Sequence, residues 1–216
     1  MSTGTTKKVR KVVVLSWHRH RFTNEEYGWL IESGFFEQFD LGRAFLWNGE
    51  IVEPMSVERP HSTVISALFG LLLARFPRAE WTTGVNQGVI LGPLYRPKPD
   101  LSVLRGSARS WVKRGRVSRT DDMVLLVEVS DSTYRTDSTV KLREYAASGV
   151  ARLWIVNVAE LRVEVYNDSI PSESSYGTRT LYGPDASIPL PIPVDGAIID
   201  FEPIPVRDIL CDLLPE

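Results

Sequence analysis

Residues 123–129 are apolar at every position except Glu128, and no other stretch of the chain constrains the fold as tightly. A run this short cannot span a bilayer, and without alternation it cannot lie half exposed. It therefore predicts a central strand covered on both faces. Glu128 is the anomaly: a carboxylate among such neighbours has to be paired, bound to a cation or solvated at the sheet rim, because burying it bare is prohibitive.

The remaining patterns supply the other layers. Thr23, with Glu26 three positions on, forms a capping box for a short helix through Glu32, with Gly34 just past its end. Asn48-Gly49 between Phe45-Leu46-Trp47 and Ile51-Val52 is a hairpin signal. From His61, the positions Val64, Ile65, Leu68, Leu71, Leu72 and Phe76 recur at helical spacing until Pro77. Residues 84–91, 101–104 and 150–158 read as strands, and residues 138–148 read as a helix closed by Gly149. Leu161, Val163 and Val165 alternate with Arg162, Glu164 and Tyr166, predicting a strand with one wet face. Beyond Asp168, the prolines at 189, 191, 193, 203 and 205 predict short edge strands, followed by a small helix around residues 208–214. The fold class is α/β (α+β), a mixed sheet flanked by helices with extra C-terminal strands.

At 216 residues the chain suits one domain, with 1–21 as a basic extension and 22–216 as the folded unit. Its single cysteine, Cys211, cannot close an internal disulfide, and no Cys/His zinc spacing occurs. The basic residues Lys7, Lys8, Arg10 and Lys11 precede an apolar run too short for a secretion signal, and no later run is membrane-length. A soluble cytoplasmic protein without a membrane partner is expected. The net charge of −2 hides two acid-free basic stretches. One is residues 1–21; the other is 105–119, with Arg105, Arg109, Lys113, Arg114, Arg116 and Arg119. Such stretches are either solvated surface or phosphate contacts beside an acidic metal site, and Arg109, Lys113, Arg114 and Arg116 are the candidate nucleic-acid ligands.

Asp100 follows Pro99 at the start of one strand, and Glu128 lies 28 positions later near the end of another. Two carboxylates at the strand ends of one sheet suit Mg²⁺ or Mn²⁺, with positions left for water and phosphate. Asp137, Lys141 and Tyr145 follow at steps of four and share one helical face, from which the Lys141 ammonium can reach that rim. A structural ion pair between Glu128 and Lys141 would explain both residues without catalysis. Tyr145 would equally serve as a packing residue, and His61 as a helix cap.

Several ordered motifs together resemble the Uma-type endonuclease family of bacteria, within the PD-(D/E)XK superfamily of restriction-endonuclease-like folds. They are Arg96-Pro97-Lys98-Pro99-Asp100-Leu101-Ser102-Val103, Leu126-Val127-Glu128-Val129-Ser130-Asp131-Ser132-Thr133, the set Asp137, Lys141 and Tyr145, Gly149-Val150, and Leu153-Trp154-Ile155-Val156. The resemblance also takes in Asn48-Gly49-Glu50 and His61. It implies that Asp100 and Glu128 are metal ligands, that Lys141 is the catalytic lysine, that DNA is the substrate, and that the protein works as a homodimer or higher homo-oligomer. Two positions depart from the pattern. Ser130 stands where the superfamily has lysine, which implies that the lysine has moved to Lys141. Phe45 replaces an acid before the Asn-Gly turn, leaving Glu50 as a possible accessory ligand beside His61, Asp137 and Tyr145.

Overall fold

A computed structural model describes residues 18–54 and 59–214; most of the basic extension lies outside the described residues. Helix α1 (Asn24–Glu32) begins at the expected capping box, with Thr23 Oγ1 accepting from Glu26 N and the Glu26 carboxylate accepting from Thr23 N. Gly34, in the left-handed region, leads into α2 (Phe35–Gln38). Strands β1 (Phe45–Trp47) and β2 (Glu50–Val52) form the expected hairpin, with Asn48 and Gly49 both at positive φ as a type I′ turn requires. Helix α3 (Arg59–Arg75) buries Val64, Leu68 and Leu72, and Phe76 beyond its end, against the sheet.

The chain continues through β3 (Trp81–Val85), β4 (Val89–Ile90), β5 (Leu101–Arg105), α4 (Ala108–Arg114), β6 (Ser118–Arg119) and β7 (Met123–Ser130). A helical crossover follows, made of α5 (Tyr134–Thr136), a π-helical turn over Asp137–Lys141 and α6 (Leu142–Ala147). Next come β8 (Arg152–Asn157), β9 (Arg162–Ile170), β10 (Ser175–Tyr182), β11 (Ser187–Val194), β12 (Ala197–Pro205) and α7 (Val206–Ile209).

Six strands form one mixed sheet in the order β10-β9-β8-β7-β5-β3. Only β7 and β8 are parallel within it. A parallel pair cannot be closed by a tight turn, so the crossover from β7 to β8 must pass over a sheet face. That requirement places the segment carrying Lys141 above the strand carrying Glu128. Every residue of β7 is buried, as the apolar run predicts. Leu125, Val127 and Val129 point into the core shared with α3, while Leu126 packs with Tyr145, Leu153 and Ile155 under the crossover.

Four elements differ from expectation. Residues 84–91 are two strands, because Asn86 turns at positive φ and β4 leaves the main sheet to pair with β6. The helix expected over 138–148 starts earlier, at Tyr134, and contains the π turn. The supposedly wet face of β9 is covered: Glu164 is fully buried, because Tyr134 of the crossover and Arg179 of β10 close over it. The C-terminal strands are longer than expected, with β11 and β12 forming a separate ribbon. In β11, Ile188, Leu190 and Ile192 face the core while Pro189, Pro191 and Pro193 alternate with them. Proline lacks an N–H, so this spacing withholds donors from the outer edge of the ribbon.

Candidate active site

Continuing the β5–β7 register, in which Leu101 opposes Val127, by one residue sets Asp100 opposite Glu128. Directly opposed residues in an antiparallel pair share a face, with Cβ atoms about 5 Å apart. Asp100 is tied into that position by a 2.8 Å hydrogen bond from Val129 N to Oδ2. His61, in the first turn of α3, places Nε2 3.2 Å from the same oxygen. With Nε2 donating to the carboxylate, Nδ1 is left as a buried atom without a partner. Among the described residues no donor bonds Asp100 Oδ1, and the Asp100 side chain keeps 14% of its surface exposed.

Glu128 is almost closed off, with 3% of its side chain exposed. The buried Tyr145 hydroxyl donates to Oε1 at 2.5 Å, and Lys141 Nζ lies 3.2 Å from Oε2. Lys141 also meets Asp137 Oδ1 at 2.7 Å, so one ammonium bridges two carboxylates. Asp137 is itself buried, its Oδ2 accepting from Ser130 Oγ at 2.7 Å and from Thr133 Oγ1 at 2.5 Å. Lys141 retains 22% exposure, which together with that of Asp100 makes the cluster a shallow polar rim. A surface hollow of about 640 Å³, lined by Asn24, Gly92, Arg119 and Ser148 among others, contains none of these residues.

Burial pushes the Glu128 carboxyl up to about 8 against the pull of Lys141, and the neighbouring Asp100 and Asp137 push the same way. Three carboxylates share one ammonium, so the upward direction follows from charge counting as well. Burial alone would depress Lys141, but Glu128 and Asp137 outweigh it and hold the ammonium above its usual range. Tyr145 is raised well above its ordinary value, chiefly by burial and then by Glu128, so its hydroxyl remains a donor.

The structure thus gathers Asp100, Glu128, Lys141, Asp137, Tyr145 and His61 at one rim. Glu50 stays apart: it is exposed and faces Arg19 at 3.9 Å. The basic stretch 105–119 contains helix α4 at the far end of β5 from Asp100. Arg116 forms a bidentate pair with Asp122, Arg114 lies 3.6 Å from that carboxylate, and both cations stand over the Trp111 ring. Sequence reasoning missed Ser130 and Thr133. The strand pleat, which puts Ser130 two residues from Glu128 on the same face, was the signal that could have found the first. It also missed the Glu164 network, in which Tyr134, Tyr166, Arg162 and Arg179 all bond one buried carboxylate.

Among the described residues no group of three or more His, Cys, Asp or Glu side chains is arranged to cage a metal. A hard cation such as Mg²⁺ commonly takes only one or two protein carboxylates and fills the rest with water and phosphate, and Asp100 and Glu128 are the opposed carboxylates of this rim.

A mixed sheet with helices on its faces and acids at its rim has the architecture of a nuclease-like α+β fold. A solved structure described as a “putative nuclease belonging to DUF820” from Anabaena variabilis matches with a TM-score of 0.56 at 16% identity, over 79% of this chain and 91% of that one. At that identity the likeness concerns the fold. The Uma2 family model, described as “Putative restriction endonuclease”, matches residues 35–199, and the chain belongs to that family. No curated protein matches it. No helix among the described residues is long and apolar enough to cross a membrane.

Proposed function

We propose that the chain is a metal-dependent endonuclease that hydrolyses DNA phosphodiester bonds at the rim formed by Asp100, Glu128 and Lys141. The observation that carries this reading is the placement of a buried-stem lysine against Glu128 on the rim that Asp100 shares. Asp100 and Glu128 would hold Mg²⁺ or Mn²⁺, which when bound lowers the pKa of coordinated water and polarises the phosphate. Lys141 supplies a fixed positive charge where negative charge builds on the transferred phosphorus oxygens. Burial keeps that charge in a medium of low effective dielectric, where it acts more strongly than in water. His61 and the Val129 N–H hold Asp100 by one oxygen and, among the described residues, leave the other without a donor. Tyr145 holds Glu128 by Oε1, with Oε2 turned toward Lys141.

Plasmid and oligonucleotide cleavage with Mg²⁺ or Mn²⁺ tests the proposal, run beside Asp100→Ala and Lys141→Ala. Loss of cleavage in both variants is expected, with calorimetric Mg²⁺ binding weakened by Asp100→Ala and largely retained in Lys141→Ala. Cleavage that persists in both would remove the mechanism.

The same ion network supports a second reading, an assembly module that keeps the nuclease fold, because Lys141 is satisfied by two carboxylates without any ligand. Exposed Trp29, Phe39 and Ile198 suit a homo-oligomer under either reading, and sedimentation measures that state.

A further inference from the structure

We propose that Ser130 and Thr133 are positioning residues for Lys141, acting through Asp137. This inference rests on the nuclease reading for its catalytic consequence, though not for its geometry. Ser130 ends β7 on the face that Glu128 occupies. A hydroxyl there cannot supply charge, yet it is fully buried and aimed at a carboxylate. Thr133, in the turn after β7, donates to the same oxygen of Asp137. Two donors on Oδ2 fix the rotation of the Asp137 carboxylate and leave Oδ1 turned toward Lys141 Nζ.

The consequence falls on a flexible side chain. A lysine has four rotatable bonds, and a single contact with Glu128 would let its ammonium wander over the rim. Set between Asp137 Oδ1 and Glu128 Oε2, it is confined to the space between the two carboxylates. The strand therefore contributes to the lysine's placement through a hydroxyl at its last residue. The π turn over Asp137–Lys141 belongs to the same device, since it begins at the held carboxylate and ends at the ammonium. Single π turns of this kind recur at functional sites.

The test uses the full chain with Mg²⁺ and compares Thr133→Val, Ser130→Ala, the double variant and Thr133→Ser. Thr133 is exposed and valine matches it in shape, so Thr133→Val should fold even where Ser130→Ala does not. The double variant should lose on the order of 10- to 100-fold in kcat with KM unchanged, as misplacement of a catalytic group by about 1 Å does. Thr133→Val should show part of that loss, and Thr133→Ser, which restores the hydroxyl, should recover it. Exposed Arg143, changed to alanine, is the unaffected control.

At one fixed pH, lysine labelled with ¹³C at Cε gives a readout that needs no turnover. The Lys141 resonance should stand apart from those of exposed lysines in the parent protein and move toward them in Thr133→Val and in the double variant. A parent protein that cleaves nothing with either metal would sink the nuclease reading alone, while the Lys141 resonance would still decide the positioning role. An unmoved Lys141 resonance, or a double variant with parental kcat, would overturn the proposal.

Discussion

Glu128 opposes Ile155 and Ile155 opposes Glu164, so two buried carboxylates sit two strands apart on one face of the sheet. Their titrations diverge because their donors do. Burial pushes Glu164 up as well, but Tyr166, Tyr134, Arg162 and Arg179 outweigh it and hold its carboxyl below the ordinary value. Glu128, with one ammonium among three acids, goes the other way. Between its ordinary 4.5 and about 8, the folded protein keeps a proton on Glu128 that the unfolded chain has released. In chelator, melting temperature should therefore fall as pH rises through that window, and Glu128→Gln should flatten the fall. A Glu128→Gln profile as steep as the parent's would assign the dependence to other groups. Glu164 has the opposite role, and Glu164→Ala should cost about 3 kcal/mol in denaturant unfolding by stripping two arginines and two tyrosines of a shared acceptor. Glu128 stood out as a charge inside an apolar strand run, Asp100 was read from its place after Pro99 at a strand start, and Lys141 from steps of four along one helical face. Ser130 drew notice only as a missing lysine, Thr133 carried no signal, and Glu164 falls in an alternation that reads as solvent-facing until the crossover covers it.

The crossover is also where element reading reached its limit. Steps of four from Asp137 to Lys141 to Tyr145 correctly grouped three side chains, but they assumed an α-helix throughout, whereas the first interval is a π turn. Residue periodicity over a single turn cannot distinguish the two, because both keep positions four apart on nearly one side. Deleting Val140, which is exposed in that turn, should let the segment relax to an α-helix and reduce the Asp137–Lys141 spacing to three. We expect retained thermal stability with lost cleavage; retained cleavage would show that the π turn is incidental. Elements with two independent signals, such as the capping box of α1 and the Asn48-Gly49 hairpin, came out as read. The 84–91 strand had only β-branched composition behind it and broke at Asn86.

On the scale of the whole molecule, the question is how a chain of net charge −2 would hold DNA. The stretch 105–119 was read as six cations without an acid, but the fold brings Asp122 back onto Arg114 and Arg116, so those two are already paired. Arg109 and Lys113 of α4 form no ion pair among the described residues and are exposed. They lie on the helix that follows the end of β5 opposite Asp100, and β5 itself, at five residues, spans about 17 Å. Contacts there would fall about five base pairs from the scissile phosphate, given about 3.4 Å per base pair. The prediction is accordingly one of reach. Arg109→Ala with Lys113→Ala should weaken binding of a long duplex and reduce its salt slope by about 1.8, two phosphate contacts at about 0.9 each, with kcat at saturating DNA unchanged. A duplex too short to extend from the rim to α4 should bind the parent and the double variant alike. Neutralising Arg114 and Arg116 should change the slope less, since Asp122 already offsets them. Equal slopes for parent and Arg109/Lys113 variant on long DNA would leave α4 as solvated surface and move the search for phosphate contacts to the basic residues before Phe22.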